Sequence, residues 1–136
     1  MIRVVLDTNV LVSAILNPQS APARVLDMAA DGTVELVLSP AIVAEYELVL
    51  SRRKFRLSPP FVGTILGSLR KVAAVIVPSE PIRACKDPSD DKFLECAVAS
   101  GAAFLITGNQ RHFPGHLREV RVVSPAAFLR EMDAIS

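Results

Sequence analysis

The sequence predicts an α/β fold, a three-layer α/β/α sandwich around a mostly parallel, Rossmann-like sheet of about five strands. Short apolar segments alternate with segments of helical periodicity from one end of the chain to the other. Strands that are separated by helices pair in parallel, and the crossover helices then cover both faces of the sheet. The 136 residues are 51% hydrophobic, which suits a complete core, so we expect a single domain over 1–136.

The predicted strands are short apolar runs that end at a polar residue, a proline or a glycine. They lie at 2–6, 33–38, 74–77, 104–107 and 120–123. Four of the predicted helices begin at a serine that is followed within two residues by a proline, which favours a helix start. The helices lie at about 10–16, 20–32, 39–53, 58–72, 90–100 and from 124 onwards, with predicted loops at 79–89 and 108–117.

Composition excludes several classes of protein. The net charge of +1 gives no global attraction to nucleic acid, so any such binding must use a local basic patch. The two cysteines, Cys85 and Cys96, lack the spacing of a thiolate zinc site and predict no disulfide framework. No apolar run reaches the roughly 18 residues of a membrane span, and Asp7 interrupts the segment that a signal peptide would need. We therefore expect a cytoplasmic protein.

Three acids occupy positions that predict an inward direction. Asp7 ends the first strand, at the edge where open α/β sheets bind ligands. Glu45 lies within the apolar stripe of the helix at 39–53, where an acid is costly unless it is paired or ligated. Asp90 heads the apolar face of the helix at 90–100, whereas Asp91 is rotated away from it.

These acids together predict a divalent metal site. Clustered carboxylates repel one another and need a cation, and hard oxygen ligands suit Mg²⁺ or Mn²⁺, which can activate water and clamp phosphate oxygens. Asn109 follows the fourth strand and would reach the same edge, unless it is only a turn amide. The alternative interpretation is structural: Asp7 or Thr8 caps a helix, Asp90 or Asp87 caps the next, and Glu45 is an edge residue that reaches solvent.

Four stretches of the sequence resemble the PIN domain, and in particular the toxin components of toxin–antitoxin pairs, the VapC-like ribonucleases. They are Asp7-Thr8-Asn9-Val10-Leu11, Glu45, Asp87-Pro88-Ser89-Asp90-Asp91-Lys92-Phe93-Leu94 and Thr107-Gly108-Asn109. The resemblance extends over essentially the whole chain. The order and spacing of the four motifs are more specific than any one of them alone.

The resemblance implies a PIN-like sandwich with Mg²⁺- or Mn²⁺-dependent endoribonuclease activity that leaves 5′-phosphate and 3′-hydroxyl ends. It places Asp7, Glu45 and Asp90 as the catalytic metal ligands. Thr8 or Asn9 would hold the site through hydrogen bonds, and Thr107 would lie beside the metal or the phosphate. It also implies a homodimer and a small antitoxin protein that blocks the site.

One position departs from the pattern of the family. Many members have a fourth acid where this chain has Asn109, whose amide oxygen can coordinate a metal but brings no negative charge. The departure leaves open whether one or two metal ions bind, and whether activity is complete. Asp91, despite its helical direction, and Asp87 are the candidates to compensate.

Two basic clusters are candidates for contacts with RNA phosphates, with a solvated surface as the alternative for each residue. The clusters are Arg52, Arg53, Lys54 and Arg56 after the Glu45 helix, and Arg111, His112 and Arg118 after Asn109.

Two rival functions stay open at this point. Asn109 would also suit a non-catalytic binding module that kept the fold and lost the activity. A haloacid-dehalogenase-type phosphatase would use Asp7 as its nucleophile. That class needs a second Asp two residues further on, where this chain has Asn9.

Overall fold

A computed structural model describes residues 1–135 of the chain and contains, over that range, one sheet of six strands in the order β3-β2-β1-β4-β6-β5. The strands are β1 (Arg3–Leu6), β2 (Glu35–Leu38), β3 (Ala74–Val75), β4 (Phe104–Ile106), β5 (His116–Leu117) and β6 (Val120–Val123). All neighbours pair in parallel except β5 and β6, which are antiparallel. The predicted α/β/α sandwich with a mostly parallel sheet is confirmed.

Six α-helices lie within the described range, and three short 3-10 turns separate them from neighbouring segments. The helices are α1 (Thr8–Leu16), α2 (Ala21–Ala30), α3 (Pro40–Leu50), α4 (Pro59–Val72), α5 (Asp91–Ser100) and α6 (Pro125–Ile135). The 3-10 turns are Arg53–Phe55, Pro88–Asp90 and Gln110–His112. Ser20, Ser39 and Ser58 each accept a hydrogen bond from a backbone N–H three residues on, as the serine–proline pattern predicts.

The structure differs from the sequence-based expectation at three places. The predicted loop 108–117 contains a 3-10 turn and the short strand β5, which pairs with β6 and makes the sheet six strands wide. The helix expected at 39–53 ends at Leu50, because residues 53–55 form a 3-10 turn. The helix expected from Asp90 begins at Asp91, and Asp90 ends the preceding 3-10 turn.

The core lies around the central strand β1, whose residues Val4, Val5 and Leu6 are fully buried. Helix α5 packs against β1, β2 and β4 and adds the buried side chains of Phe93 and Leu94. Because β1 is held between β2 and β4, the residue that follows it has a fixed position at the carboxyl edge of the sheet. No helix within residues 1–135 combines the length and the apolar character needed to cross a bilayer.

Candidate active site

Asp7 lies directly after β1, and its backbone and its side chain are both held by residues at the end of β4. Its backbone N–H donates to the carbonyl of Ile106 at 2.9 Å, so the ladder between β1 and β4 extends to this residue. Its Oδ2 accepts a 2.7 Å hydrogen bond from the hydroxyl of Thr107, and both side chains are buried. Although Asp7 stands before α1, its side chain makes no capping hydrogen bond. The geometry therefore favours a site residue over a helix cap.

Glu45 reaches the same edge from α3, and both of its carboxylate oxygens are engaged. Oε2 accepts a hydrogen bond from the Thr8 hydroxyl, and Oε1 lies 2.5 Å from Nζ of Lys92. The next residue, Tyr46, is buried and donates from its hydroxyl to the carbonyl of Leu6 at 2.6 Å. This bond ties α3 to the last residue of β1, immediately before Asp7.

Asp90 is presented by the 3-10 turn that precedes α5. The turn is held by Asp87, whose Oδ1 accepts from the Ser89 N–H at 2.9 Å. The carboxylate of Asp90 is 18% exposed, and its Oδ2 lies 3.9 Å from Nδ1 of His112. Of the two acids that the sequence offers as helix caps, Asp87 makes a capping hydrogen bond and Asp90 makes none. The carboxylate of Asp90 lies within electrostatic range of Glu45.

Electrostatic repulsion connects the three acids. Burial raises the pKa of Asp7; the hydrogen bond from Thr107 opposes that rise, and the charges of Asp90 and Glu45 add to it. Burial also raises the pKa of Asp90, with further contributions from Asp87 and Glu45 against the lowering effects of His112 and Lys92. The structure thus brings Asp7, Glu45 and Asp90 within electrostatic range of one another, although they lie far apart in the sequence.

The donor atoms fit a divalent cation, but they do not form a closed set around one point. The carboxylates of Asp7, Glu45 and Asp90 are hard oxygen donors, the kind of ligand that Mg²⁺ and Mn²⁺ prefer, and the pKa values of Asp7 and Asp90 are raised by burial and by neighbouring acids. In the part of the chain that is described, however, no three side chains of His, Cys, Asp and Glu form a ready-made metal-holding group. Both oxygens of Glu45 also already have partners, one in Thr8 and the other in Lys92.

The loop that follows β4 is held by the side chains of Asn9 and Thr107. Oδ1 of Asn9 accepts a hydrogen bond from the Gly108 N–H at 3.2 Å, and the hydroxyl of Thr107 accepts from the Asn109 N–H at 2.9 Å. The side chain of Asn109 is exposed and makes no capping bond to the 3-10 turn after it. Asn9 and Thr107 therefore hold the loop, and Asn109 stands at its open side.

Asp91 begins α5, and its carboxylate is bound to the backbone of the preceding loop. Its Oδ1 accepts from the backbone N–H groups of Ala84 and Cys85 at 3.0 and 2.8 Å. Burial raises the pKa of Asp91, but these hydrogen bonds outweigh that effect and the pKa is lowered overall. The suggestion that Asp91 compensates for Asn109 is not supported by this placement, because its carboxylate is committed to the 84–85 loop.

Of the basic residues that are candidates for RNA contacts, some lie near the acids and others do not. Arg111 and His112 line an open cavity of about 550 Å³ together with Lys86, Gly108, Asn109 and Gln110. Arg52 and Arg53 are exposed beyond the end of α3, and within residues 1–135 no hydrogen bond or ion pair joins them to the acids. Arg118 pairs with Glu80 instead of lying free for a phosphate.

Sequence reasoning missed two residues that shape the site. The sequence shows Lys92 only as part of the motif at 87–94, and it gives Tyr46 no signal beyond a place on the buried side of α3. The spacing of Lys92 two residues after Asp90 was a signal, but its contact with Glu45 depends on how α3 and α5 approach each other.

The fold and the site define an α/β protein with a buried acid at the carboxyl edge of its central parallel strand and two further acids within electrostatic range of it. The chain belongs to the PIN-domain family, whose family model matches residues 3–111. Members of this family are generally nucleases. The phosphatase alternative is thereby set aside.

The chain is also similar to one protein in sequence and to two solved structures in fold. The chain is 33% identical over 112 residues to the uncharacterized protein MJ1680 of Methanocaldococcus jannaschii, covering 80% of this chain and 72% of that protein. A chain in the crystal structure of VapBC2 from Rickettsia felis, bound to a DNA fragment from their promoter, superposes with a TM-score of 0.61 at 17% identity, covering 90% of this chain and 98% of that one. DNA-bound VapBC from Salmonella typhimurium gives a TM-score of 0.63 at 15% identity, covering 92% and 99%. At these identities the two structures show a shared fold.

Proposed function

We propose that this protein is a divalent-metal-dependent endoribonuclease and the toxin of a toxin–antitoxin pair. The observation that supports this most directly is that Asp7, buried at the carboxyl edge of a PIN-domain sheet, has a pKa that is raised by burial and by the charges of Asp90 and Glu45. We assign these three acids to the holding of Mg²⁺ or Mn²⁺. When bound, such an ion supplies an activated water and stabilises the charge that develops on the phosphate.

The residues of the chain prepare the site in defined ways. Thr107 orients Asp7 through its hydroxyl, and Thr8 orients Glu45 in the same manner. Asn9 fixes Gly108, and with it the start of the loop that carries Arg111 and His112. Because second-shell hydrogen bonds of this kind orient ligands, we expect Thr8, Asn9 and Thr107 to act on activity by positioning.

The test is cleavage of RNA by the purified full chain with Mn²⁺, with a chelator, and after Asp7→Asn. We expect the chelator to abolish cleavage and Asp7→Asn to reduce it by about a thousandfold or more, the order of loss seen when a group that stabilises transition-state charge is removed. Asp27→Asn, at an exposed acid on α2, is the matched control and should retain activity. Cleavage that survives both the chelator and Asp7→Asn would remove the mechanism.

For the RNA itself, we assign the phosphate contacts to Arg111 and His112 ahead of Arg52 and Arg53, because the first pair lines the cavity that borders Asp90. Arg111→Gln should raise KM for RNA several-fold and lower the salt dependence of binding, with a smaller effect on kcat. Arg70→Gln, an exposed change of equal charge at the end of α4, should do neither. Equal effects of both variants would indicate a diffuse electrostatic attraction.

The proposed partners are a small antitoxin that blocks the site and a second copy of the chain, in the cytoplasm. The fold shared with chains of VapBC complexes supports the antitoxin. A small DNA-binding protein encoded beside this gene should form a stable complex on co-expression and inhibit the cleavage. Size-exclusion chromatography with light scattering would measure the homodimer.

A non-catalytic module with the same fold is the second candidate function. It is favoured by Asn109, by the ion pair that engages Glu45, and by the lack of a preformed metal-holding group in the described residues. Calorimetric titration with Mn²⁺ separates the two functions, because such a module should bind the ion weakly or not at all.

A further inference from the structure

We propose that Lys92 neutralises Glu45 in the place of a second metal ion, so that the site takes one divalent cation. The inference rests on the proposed metal site and concerns how many ions it accepts. It also refines the role of Glu45, whose charge is then balanced within the chain.

The contacts of Lys92 show a cation built into the acid cluster. Nζ lies 2.5 Å from Oε1 of Glu45 and 2.6 Å from the carbonyl oxygen of Ser89. The side chains of Lys92 and Glu45 are only 21% and 22% exposed, so solvent screens the pair less than it would on an open surface. Because Ser89 precedes Asp90, the ammonium joins α3 to the turn that presents Asp90.

The charge of the cluster leads to the same conclusion. Asp7, Glu45 and Asp90 together bring three negative charges, and Lys92 reduces the total to two, which one divalent ion neutralises. A second ion would need further negative charge close by. Asn109 is neutral, and Asp91 is committed to the amides of Ala84 and Cys85. Asp87, the other acid close to Asp90, is exposed to solvent and already accepts from the Ser89 N–H.

The hydrogen bonds distinguish Glu45 from the other two acids. Glu45 has one oxygen with Thr8 and the other with Lys92. Asp7 has Oδ2 with Thr107, and Asp90 has His112 at 3.9 Å with no hydrogen bond to its carboxylate within residues 1–135. An ion placed between Asp7 and Asp90 would therefore displace fewer contacts than one that also recruits Glu45.

The experiment is titration of the full metal-free chain with Mn²⁺ alone, measured by calorimetry and by the electron paramagnetic resonance signal of free Mn²⁺. The wild type should bind one ion. Lys92→Met keeps an unbranched stem and removes the charge, so it should take up a second ion or bind the first about tenfold more tightly. Lys92→Arg keeps the charge and should stay near the wild type. Lys71→Met, an equal change at an exposed site on α4, should have no effect.

A double variant tests the pair directly and guards against misfolding of Lys92→Met. Glu45→Gln with Lys92→Met removes one charge of each sign, so it should bind one Mn²⁺ again and lose the second ion or the gain in affinity that Lys92→Met produces. A merely structural ion pair would not produce this restoration of number and affinity. Thermal unfolding with and without Mn²⁺ checks that each variant folds and that the ion stabilises it.

Three results would overturn the inference: two ions bound by the wild type, Lys92→Met that matches or falls below the wild type in affinity, or a double variant that no longer binds Mn²⁺. None of these readouts needs RNA. If one Mn²⁺ binds as expected but no RNA is cleaved, the proposed function fails and the inference stands. If the wild type binds two ions and cleaves RNA, the inference fails and the proposed function stands.

Discussion

Asp90 and Asp91 are consecutive in the chain, but their carboxylates lie in opposite environments. Asp91 is 7% exposed and accepts two backbone N–H groups from the 84–85 loop, and its pKa is lowered overall because these hydrogen bonds outweigh its burial. Asp90 lies on the side of Asp7 and Glu45, and its pKa is raised by burial and by the neighbouring acids. One carboxylate stabilises the fold, and the other is held against electrostatic repulsion.

The comparison separates two uses of a buried acid. A carboxylate with amide donors gains stability by being charged, whereas one among like charges is destabilised until a cation or a proton arrives. Asp7 belongs with Asp90 in this respect, since burial, Asp90 and Glu45 all raise its pKa. Burial alone therefore does not identify the site; the sign of the surrounding charge does.

The largest expected effect contrasts the two neighbours in activity. Asp90→Asn should lower RNA cleavage by about a thousandfold while the protein unfolds at the same temperature or a higher one, because a repelled charge has been removed. Asp91→Asn keeps an oxygen for the 84–85 amides and should retain most of the cleavage. Single-turnover cleavage and calorimetric unfolding measure the two effects. Similar losses of cleavage in both variants would break the comparison.

A smaller effect concerns stability alone. Asp91→Ala leaves the N–H groups of Ala84 and Cys85 without their acceptor, so the free energy of unfolding should fall by about 2 kcal/mol. Hydrogen exchange at these two amides should accelerate in the same variant. Asp87→Ala, which removes an acceptor on the exposed side of the 3-10 turn, should cost less and serves as the control.

The smallest expected effect concerns how Asp7→Asn and Asp91→Asn change the unfolding temperature of the metal-free protein at different pH values. The two changes should have opposite signs at neutral pH. The pKa of Asp7 is raised in the folded state, so its charge lowers stability at neutral pH and this loss disappears as pH falls through the raised pKa towards the ordinary 3.8. Asp7→Asn should therefore be a few degrees more stable than the wild type at neutral pH and equal to it at low pH.

Asp91 should behave in the opposite sense. Its lowered pKa contributes stability that is present above the ordinary value of 3.8 and is lost as pH falls through the lowered value. Asp91→Asn should be less stable than the wild type at neutral pH, with the difference closing in acid. With saturating Mn²⁺, the wild type should become more stable than Asp7→Asn, whereas the order of the wild type and Asp91→Asn should not change. If the stabilities of the two variants changed with pH in the same way, the opposite roles of Asp7 and Asp91 would be contradicted.

Much of the fold can be predicted from the sequence because its signals are local. Apolar runs such as 2–6 and 104–107 give the parallel strands, and the serine–proline pairs give the starts of α3 and α4. Strand β5 cannot be predicted in this way, since two residues after Pro114 and Gly115 are too few to show alternation. Its pairing with β6 is a tertiary contact.

In the candidate site, too, local patterns in the sequence indicate some residues, whereas contacts between distant elements cannot be predicted from them. Helical periodicity predicts different directions for Asp90 and Asp91, but in the structure Asp90 precedes α5 and Asp91 is the more buried of the two. An acid within an apolar stripe draws attention to Glu45. What periodicity cannot give is the identity of a partner across two elements. Lys92 on Glu45 and the Tyr46 hydroxyl on the Leu6 carbonyl both depend on the packing of α3 against its neighbours, over separations of 47 and 40 residues.

The hydrogen bond from Thr107 to Asp7 joins residues 100 positions apart and has a consequence for biosynthesis. During synthesis, Asp7 is made 100 residues before the hydroxyl that orients it, and the strand β4 beside it is also made later than β1. A chain that is still incomplete therefore lacks the Thr107 hydroxyl that holds the Asp7 carboxylate in place.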